Sequence, residues 1–342
     1  MGTKKTYSVA VVGATGLVGE AMLACLAARE FPVGQLHLLA SERSAGTRIR
    51  FAGKSHLVTD LAQFDFAGVD LALFSAGGSV SAEHAPRAAA AGAMVIDNTS
   101  HFRYDDDVPL VVPEVNPQAL EQAAARNIIA NPNCSTIQMV VALKPIYDAV
   151  GITRINVATY QSVSGGGRRL VDELARQTAQ LLGGGSLGKM LTPKQLAFNA
   201  LPQIDVFEDN GYTREEMKMS WETQKIFADP DLGVNATAVR VPVFFGHSEA
   251  VHLETVDKIT AAQARKLLRA APGIKVLDRR VPGGYPTAVT EGGGTDAVWV
   301  GRIREDISHP RGLSLWVVAD NIRKGAALNS VQIAETFVKT YL

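Results

Sequence analysis

The first third of the chain alternates short apolar runs with segments of helical spacing. Tyr7–Val12, YSVAVV, is a continuous run rich in β-branched residues, as expected of a parallel strand covered on both faces. A glycine turn follows. In EAMLACLAARE the apolar Met22, Leu23 and Leu26 then recur at helical spacing. QLHLLA, LALFSA, AMVIDN and LVVPEV read as the second to fifth strands, with SAEHAPRAAAAG as the helix before the fourth. Strand and helix in this rhythm imply right-handed crossovers and a Rossmann-like, doubly wound parallel sheet.

After Cys134 the pattern changes. ITRINVATYQSVS, ATAVRVPVFFGHSEAVHLETV, DAVWVGRIRED and LSLWVVADN are longer, alternating and β-rich. They predict a second α+β domain built on a largely antiparallel sheet. LNSVQIAETFVKTYL closes the chain as an amphipathic helix. The expected division is therefore residues 1–132 with 325–342 as one domain and 133–324 as the other. A chain of 342 residues is too long for one ordinary core, which agrees.

Composition narrows the partners. Lys+Arg 34 balance Asp+Glu 34, so nothing favours nucleic acid or an anionic membrane. No stretch approaches the ~18 uninterrupted apolar residues of a membrane helix, and the N-terminal segment is too short on apolar residues for a signal peptide. The two cysteines, Cys25 and Cys134, lie far apart with no CxxC or Cys/His cluster. A disulfide framework and a metal site are not expected, and a reducing cytoplasm fits best.

The first glycine turn carries candidate chemistry. Gly13, Gly16 and Gly19 in VVGATGLVGE follow a strand and open a helix, a GxxGxxG variant of the dinucleotide fingerprint. The turn needs positive φ or close backbone approach, and the helix N-terminus then faces a pyrophosphate. Gly13, Thr15, Gly16, Leu17, Val18 and Gly19 are the expected cofactor-binding residues. The second strand ends in LLASERSAG, where Ser41, Arg43 and Ser44 suit the 2′-phosphate of NADP, although Glu42 would suit an adenosine ribose. NADP is the cofactor expected.

Cys134 lies where the turn NPN meets the helix STIQMVVAL. A thiol at a helix N-terminus feels unpaired N–H groups that favour thiolate. From position alone a buried, inert cysteine would still be the commoner outcome, and Cys25, inside an amphipathic helix, is given no role. Arg240, within ATAVRVPVFF, is informative without any motif, because an arginine in an apolar strand needs an anionic partner.

The surrounding words go further. NPNCSTIQ, with GATGLVG, FRYDDDVPLVVPEVN, YQSVSG, KMSWETQKI, RVPVFFGHSEAV, VGRIRED and DNIRKGAALNSVQIAE, resembles the aspartate-semialdehyde dehydrogenase family over nearly the whole chain, in the right order. The resemblance implies that Cys134 is the nucleophile, Gln161 the residue orienting a thioester, and His247 the general acid/base. It implies Arg240 on the substrate α-carboxylate and Glu222 on its α-ammonium. Lys225 and Arg103 would then bind the phosphate, while Ser164, Gly165 and Asn321 would line the nicotinamide pocket. It also implies a homodimer built through the second domain. The chemistry suits these residue types: a thiolate attacks an acyl phosphate, a thioester accepts hydride, and an imidazole titrating near neutrality can shuttle a proton.

Two loops depart from the family. Ser164-Gly165-Gly166-Gly167 stands where Ser-Gly-Ala-Gly is usual, and TEGGGTDAV is richer in glycine. Usg-type paralogues, some lacking the nucleophile, belong to the same family; this chain keeps cysteine, histidine and substrate arginine. The expected reaction is reductive dephosphorylation of L-aspartyl 4-phosphate. The alternatives are a cysteine-dependent reductase of another acyl phosphate and a non-catalytic binding paralogue.

Overall fold

The structure, a computed structural model, describes residues 6–342; the first five residues of the segment read for a targeting signal lie outside them. The chain divides into two compact units, residues up to Asn133 with Ala326–Leu342, and Cys134–Gly325.

In the first unit β1 (Tyr7–Val12), α1 (Leu17–Ala28), β2 (Val33–Ala40), β3 (Arg48–Phe51), β4 (Lys54–Asp60), β5 (Leu71–Phe74), α2 (Gly78–Ala90), β6 (Met94–Asp97) and β7 (Ile128–Ala130) follow in order. They form a seven-stranded sheet, β3-β4-β2-β1-β5-β6-β7, parallel except for the β3–β4 hairpin. That polar hairpin was not read from the sequence. Its turn residues Ala52 and Gly53 both have positive φ (46° and 80°), the type I′ geometry that matches strand twist.

The expected fifth strand needs correction. LVVPEV is buried, but only Leu110 bridges to Ala130, and the strand at that edge is β7. Pro113 explains why. On the side facing β7 the Ala130 N–H donates to the Pro109 carbonyl (2.9 Å) and the Val111 N–H donates to the Ala130 carbonyl (3.1 Å). The next donor on that side would be residue 113, a proline without an N–H, so the ladder stops. The terminal helix of the chain joins Met22, Leu26, Leu71, Leu73, Val331 and Phe337 in one core, and Cys25 is wholly buried within it.

The second unit comprises α3 (Cys134–Val150), β8 (Ile152–Gln161), α4 (Arg168–Leu182), α5 (Arg214–Phe227), β9 (Gly233–Arg240), β10 (His247–Thr255), α6 (Ala261–Ala270), β11 (Ile274–Val276), β12 (Val298–Glu305) and β13 (Gly312–Ala319). The terminal helix is then α7 (Leu328–Tyr341). The second sheet runs β11-β12-β13-β10-β8-β9, with β8–β9 and β11–β12 parallel and the other three pairings antiparallel. Helix α3 is buried from Ser135 through Leu143, because it packs on the sheet on one side and on α5 and α6 on others. A helix covered all round reads as apolar all round.

Candidate active site

The strands of the second sheet decide which residues meet. Parallel register sets Gln161, the last residue of β8, beside Arg240, the last of β9. Antiparallel register sets Ser248 opposite Tyr160 and His247 opposite Ala319, so β10 begins where β8 and β13 end. Four strand ends therefore deliver Gln161, Arg240, His247 and the turn carrying Asn321 to one edge of the unit. Cys134, also of this unit, is the first residue of α3 and is partly exposed.

The cysteine is tightly backed. A Cβ added at Gly325 would come within 2.7 Å of the Cys134 Cβ and 3.2 Å of its Cα. Only glycine lets the turn at residue 325 approach Cys134 this closely. Asp320 holds that turn through N–H groups of Ile322 (2.8 Å) and Arg323 (2.9 Å).

Ser162 sits between the two basic residues. Its backbone N–H donates to His247 Nδ1 (3.1 Å), and its carbonyl accepts from Arg240 Nη1 (2.7 Å). Gly165 covers both: a Cβ there would lie 3.1 Å from Arg240 Nη1 and 3.3 Å from His247 Nε2. His247 is wholly buried and its Nε2 has no hydrogen-bond partner. Burial, and then the charge of Arg240, push the imidazole down to about 3. Against the expectation of a histidine titrating near neutrality, these surroundings favour the neutral ring over the imidazolium. The Arg240 guanidinium is itself buried, and the groups acting electrostatically in its favour are Glu215 and Cys134.

Glu215 is the residue the sequence reading missed. Its Oε1 accepts from Gln161 Nε2 (3.2 Å) and its Oε2 pairs with Lys218 Nζ (3.2 Å), which also reaches Asp205 (2.8 Å). Glu222 and Lys225, expected in these roles, lie seven positions further along α5, with Glu222 wholly buried. Seven residues are two helical turns, so both pairs share a face and differ by about 10 Å along the axis. The glutamate next to a capping Thr213 carried the missing signal: Thr213 and Glu216 form a capping box that fixes the start of α5 and hence the height of Glu215.

Ser164 and Asn321, expected at the nicotinamide, are joined in a buried network. Asn321 Oδ1 accepts from the Gly246 N–H (2.9 Å) and from the hydroxyls of Ser162 (3.0 Å) and Ser164 (3.2 Å), while its Nδ2 donates to Ser164 Oγ (3.0 Å). This network supports the residue preceding His247 and the turn after Gln161. Gly166 meets Leu170: a Cβ there would fall 2.6 Å from Leu170 Cδ2, so the leucine fills space that an alanine would need.

In the first unit the glycine turn fits a dinucleotide. Gly13 has φ +85°, and a Cβ at Gly19 would lie 2.2 Å from the Gly13 carbonyl oxygen. Gly16 precedes α1 with no side-chain cap, which leaves first-turn N–H groups for a pyrophosphate. Thr15, Leu17 and Val18 complete the turn, and Ser41, Arg43 and Ser44 form the short turn after β2. Arg103 is also in this unit, buried, with Nη2 on the Asn98 carbonyl (2.7 Å). No group of residues able to hold a metal ion occurs among the described residues, and no helix among them is long and apolar enough to cross a membrane.

The chain resembles known proteins over nearly its whole length. Residues 8–123 match the semialdehyde dehydrogenase NAD binding domain, and residues 143–324 the semialdehyde dehydrogenase dimerisation domain. An aspartate-semialdehyde dehydrogenase of a Shewanella species is 60% identical over 98% of both chains. The Vibrio cholerae aspartate semialdehyde dehydrogenase II solved in complex with ASA superposes with a TM-score of 0.97 at 60% identity, over 99% of this chain and 100% of that one. The Candida albicans enzyme solved with NADP gives a TM-score of 0.75 at 25% identity, over 97% of this chain and 98% of that one. The chain belongs to the aspartate-semialdehyde dehydrogenase family.

Proposed function

We propose that the protein reduces L-aspartyl 4-phosphate to aspartate 4-semialdehyde with release of phosphate, through a thioester on Cys134, in amino-acid biosynthesis. The observation that carries this reading is the convergence of Gln161, Arg240, His247 and Glu215 at one edge of the unit that Cys134 opens. When bound, NADP supplies or accepts the hydride; the Gly13–Gly19 turn would hold its pyrophosphate, and Ser41, Arg43 and Ser44 its 2′-phosphate.

Each residue then has a task set by its chemistry. Cys134, at a helix start and within reach of the Arg240 charge, is favoured as thiolate. Arg240 takes the substrate α-carboxylate, as a bidentate guanidinium does well. Glu215, in place of Glu222, takes the α-ammonium. Lys218, in place of Lys225, takes phosphate. Arg103 keeps its expected part in phosphate binding on the family resemblance. Gln161, held between Thr159 and Glu215, orients the acyl group on the sulfur. The match of residues 143–324 to a dimerisation domain supports assembly as a homodimer, which would work in the cytoplasm.

The test is phosphate-dependent NADP reduction by the purified protein with aspartate semialdehyde. Turnover that requires phosphate is expected. Turnover only with a semialdehyde lacking the amine would favour a reductase of another acyl phosphate, and no turnover with any would favour a binding paralogue.

A further inference from the structure

The glycine-rich loop TEGGGTDAV, one of the two departures from the family, is tied to the turn behind Cys134. Asp320, the residue after β13, makes the tie. Its carboxylate is buried and accepts from three main-chain N–H groups: Oδ1 from Ile322 (2.8 Å) and Arg323 (2.9 Å), and Oδ2 from Gly294 (2.7 Å). Its own carbonyl accepts from the Gly325 N–H (3.0 Å), which closes the turn. At the far end of that turn is Gly325, where a Cβ would run into Cys134. At the near end is Asn321, locked to Gly246, Ser162 and Ser164.

Glycine makes the loop's approach to Asp320 possible. Gly294 has φ +75°, a conformation that residues with a side chain rarely adopt, and there its N–H meets Oδ2. At Gly292 a Cβ would fall 2.8 Å from Val318 Cγ1, near the end of β13. The Gly293 N–H donates to the Ala288 carbonyl (2.7 Å), so the loop is itself anchored. A buried carboxylate shared among three N–H groups from two segments makes a stiff bracket between them.

We infer that Asp320 is a positioning residue for the nucleophile: it braces the 320–325 turn on the 292–294 loop, so that Gly325 holds Cys134 in one place at the start of α3. This rests on the thioester reading above, in which Cys134 is the reacting group. Place matters twice. The preference of the sulfur for thiolate depends on where it sits relative to the first-turn N–H groups of α3 and the charge of Arg240. A reacting group displaced by about 1 Å also loses up to about 10²-fold in rate. Slackening the bracket should therefore raise the titration midpoint of the thiol and lower kcat, while Arg240 and Glu215 still grip the substrate.

The test is the pH dependence of Cys134 alkylation by iodoacetamide, followed by mass spectrometry of the Cys134 peptide, with wholly buried Cys25 as the internal reference. It needs neither substrate nor cofactor. Asp320→Ala removes all three bonds. Asp320→Asn is milder, because whichever way the amide turns, its NH₂ faces at least one main-chain N–H. The alkylation midpoint should rise by at least about half a pH unit in Asp320→Ala, and by less in Asp320→Asn. In turnover, kcat should fall about 10- to 10²-fold, with the KM values for semialdehyde and phosphate within about threefold of normal. Asp296→Ala is the control. It cuts the ion pair from Arg323 of the same turn to exposed Asp296 (2.6 Å), and should leave midpoint and kcat near normal. A merely structural Asp320 would lower the thermal midpoint and leave the alkylation midpoint unchanged, and that result overturns the inference. So does an equal alkylation shift in Asp296→Ala. If Asp320→Ala fails to fold, Asp320→Asn decides on the same readings. A wrong substrate assignment would abolish turnover in every protein, the unmodified one included, yet leave the alkylation shift as expected.

Discussion

The glycine turn of the first unit and the strand-end cluster of the second solve opposite problems. At Gly13, Gly16 and Gly19 the candidate functional groups are backbone N–H groups, and the sequence contributes by removing side chains. At Cys134, Gln161, Arg240, His247 and Glu215 the candidate functional groups are side chains, and the backbone contributes by bringing five separate elements to one edge. A backbone site is local and tolerates loss of side chains but not their gain. A side-chain site is assembled from distant residues and is damaged by deletion. Ser162 is the exception that links the two designs, since it acts on side chains through its main chain.

The comparison breaks first at the nucleophile. Cys134→Ser should lose on the order of 10⁴-fold or more in turnover while NADP binding and the thermal midpoint stay near those of the unmodified protein. Cys25→Ala, in the core of the first unit, should keep turnover near normal. Appreciable turnover in Cys134→Ser would end the covalent mechanism.

The next largest effect separates the two Glu-x-x-Lys pairs of α5. Loss of a buried charge contact to substrate costs about 2–5 kcal/mol. Glu215→Gln should therefore raise the KM for aspartate semialdehyde at least about thirtyfold, and Glu222→Gln should leave that KM within a few-fold. Steady-state kinetics with both variants settle which pair meets the substrate; the reverse pattern would return the role to Glu222.

Adding a side chain should injure the first unit instead. Gly19→Ala drives a methyl into the Gly13 carbonyl, and such overpacking costs about 1–3 kcal/mol. Calorimetry should show a lowered midpoint and titration a weakened NADP affinity. Unchanged values for both would mean that the turn is not the close-packed cradle described.

Removing a side chain there should do least. Arg43 is exposed on the short turn after β2, and Arg43→Ala should weaken NADP by about tenfold while leaving NAD nearly unaffected. Equal affinities for the two cofactors in the unmodified protein would refute the choice of NADP.

What could be read in the chain follows the same line. The parallel strands, the glycine turn, the nucleophile at a helix start and the arginine in an apolar strand all leave local marks: period, spacing, or a residue type out of place. LVVPEV shows how a local mark misleads. Its apolar run is buried as predicted, yet Pro113 offers no N–H where the ladder to β7 would continue, and the strand stops. The polar hairpin β3–β4 left no apolar alternation to find, only the Ala52-Gly53 turn.

The sequence by itself determined the fold class and the family and singled out Cys134 and the first glycine turn as candidates, because each is written in neighbouring residues or in motifs of fixed order. The tertiary structure alone decided which of two identically spaced Glu-x-x-Lys pairs reaches Gln161 and Arg240, because both lie on one helical face and only the height of α5 against the sheet distinguishes them. It alone decided the state of His247. Residue type offers a group that titrates near neutrality, whereas burial and the charge of Arg240 push it down to about 3. Protonation depends on what surrounds a ring in space, and those surroundings come from positions far apart in the chain.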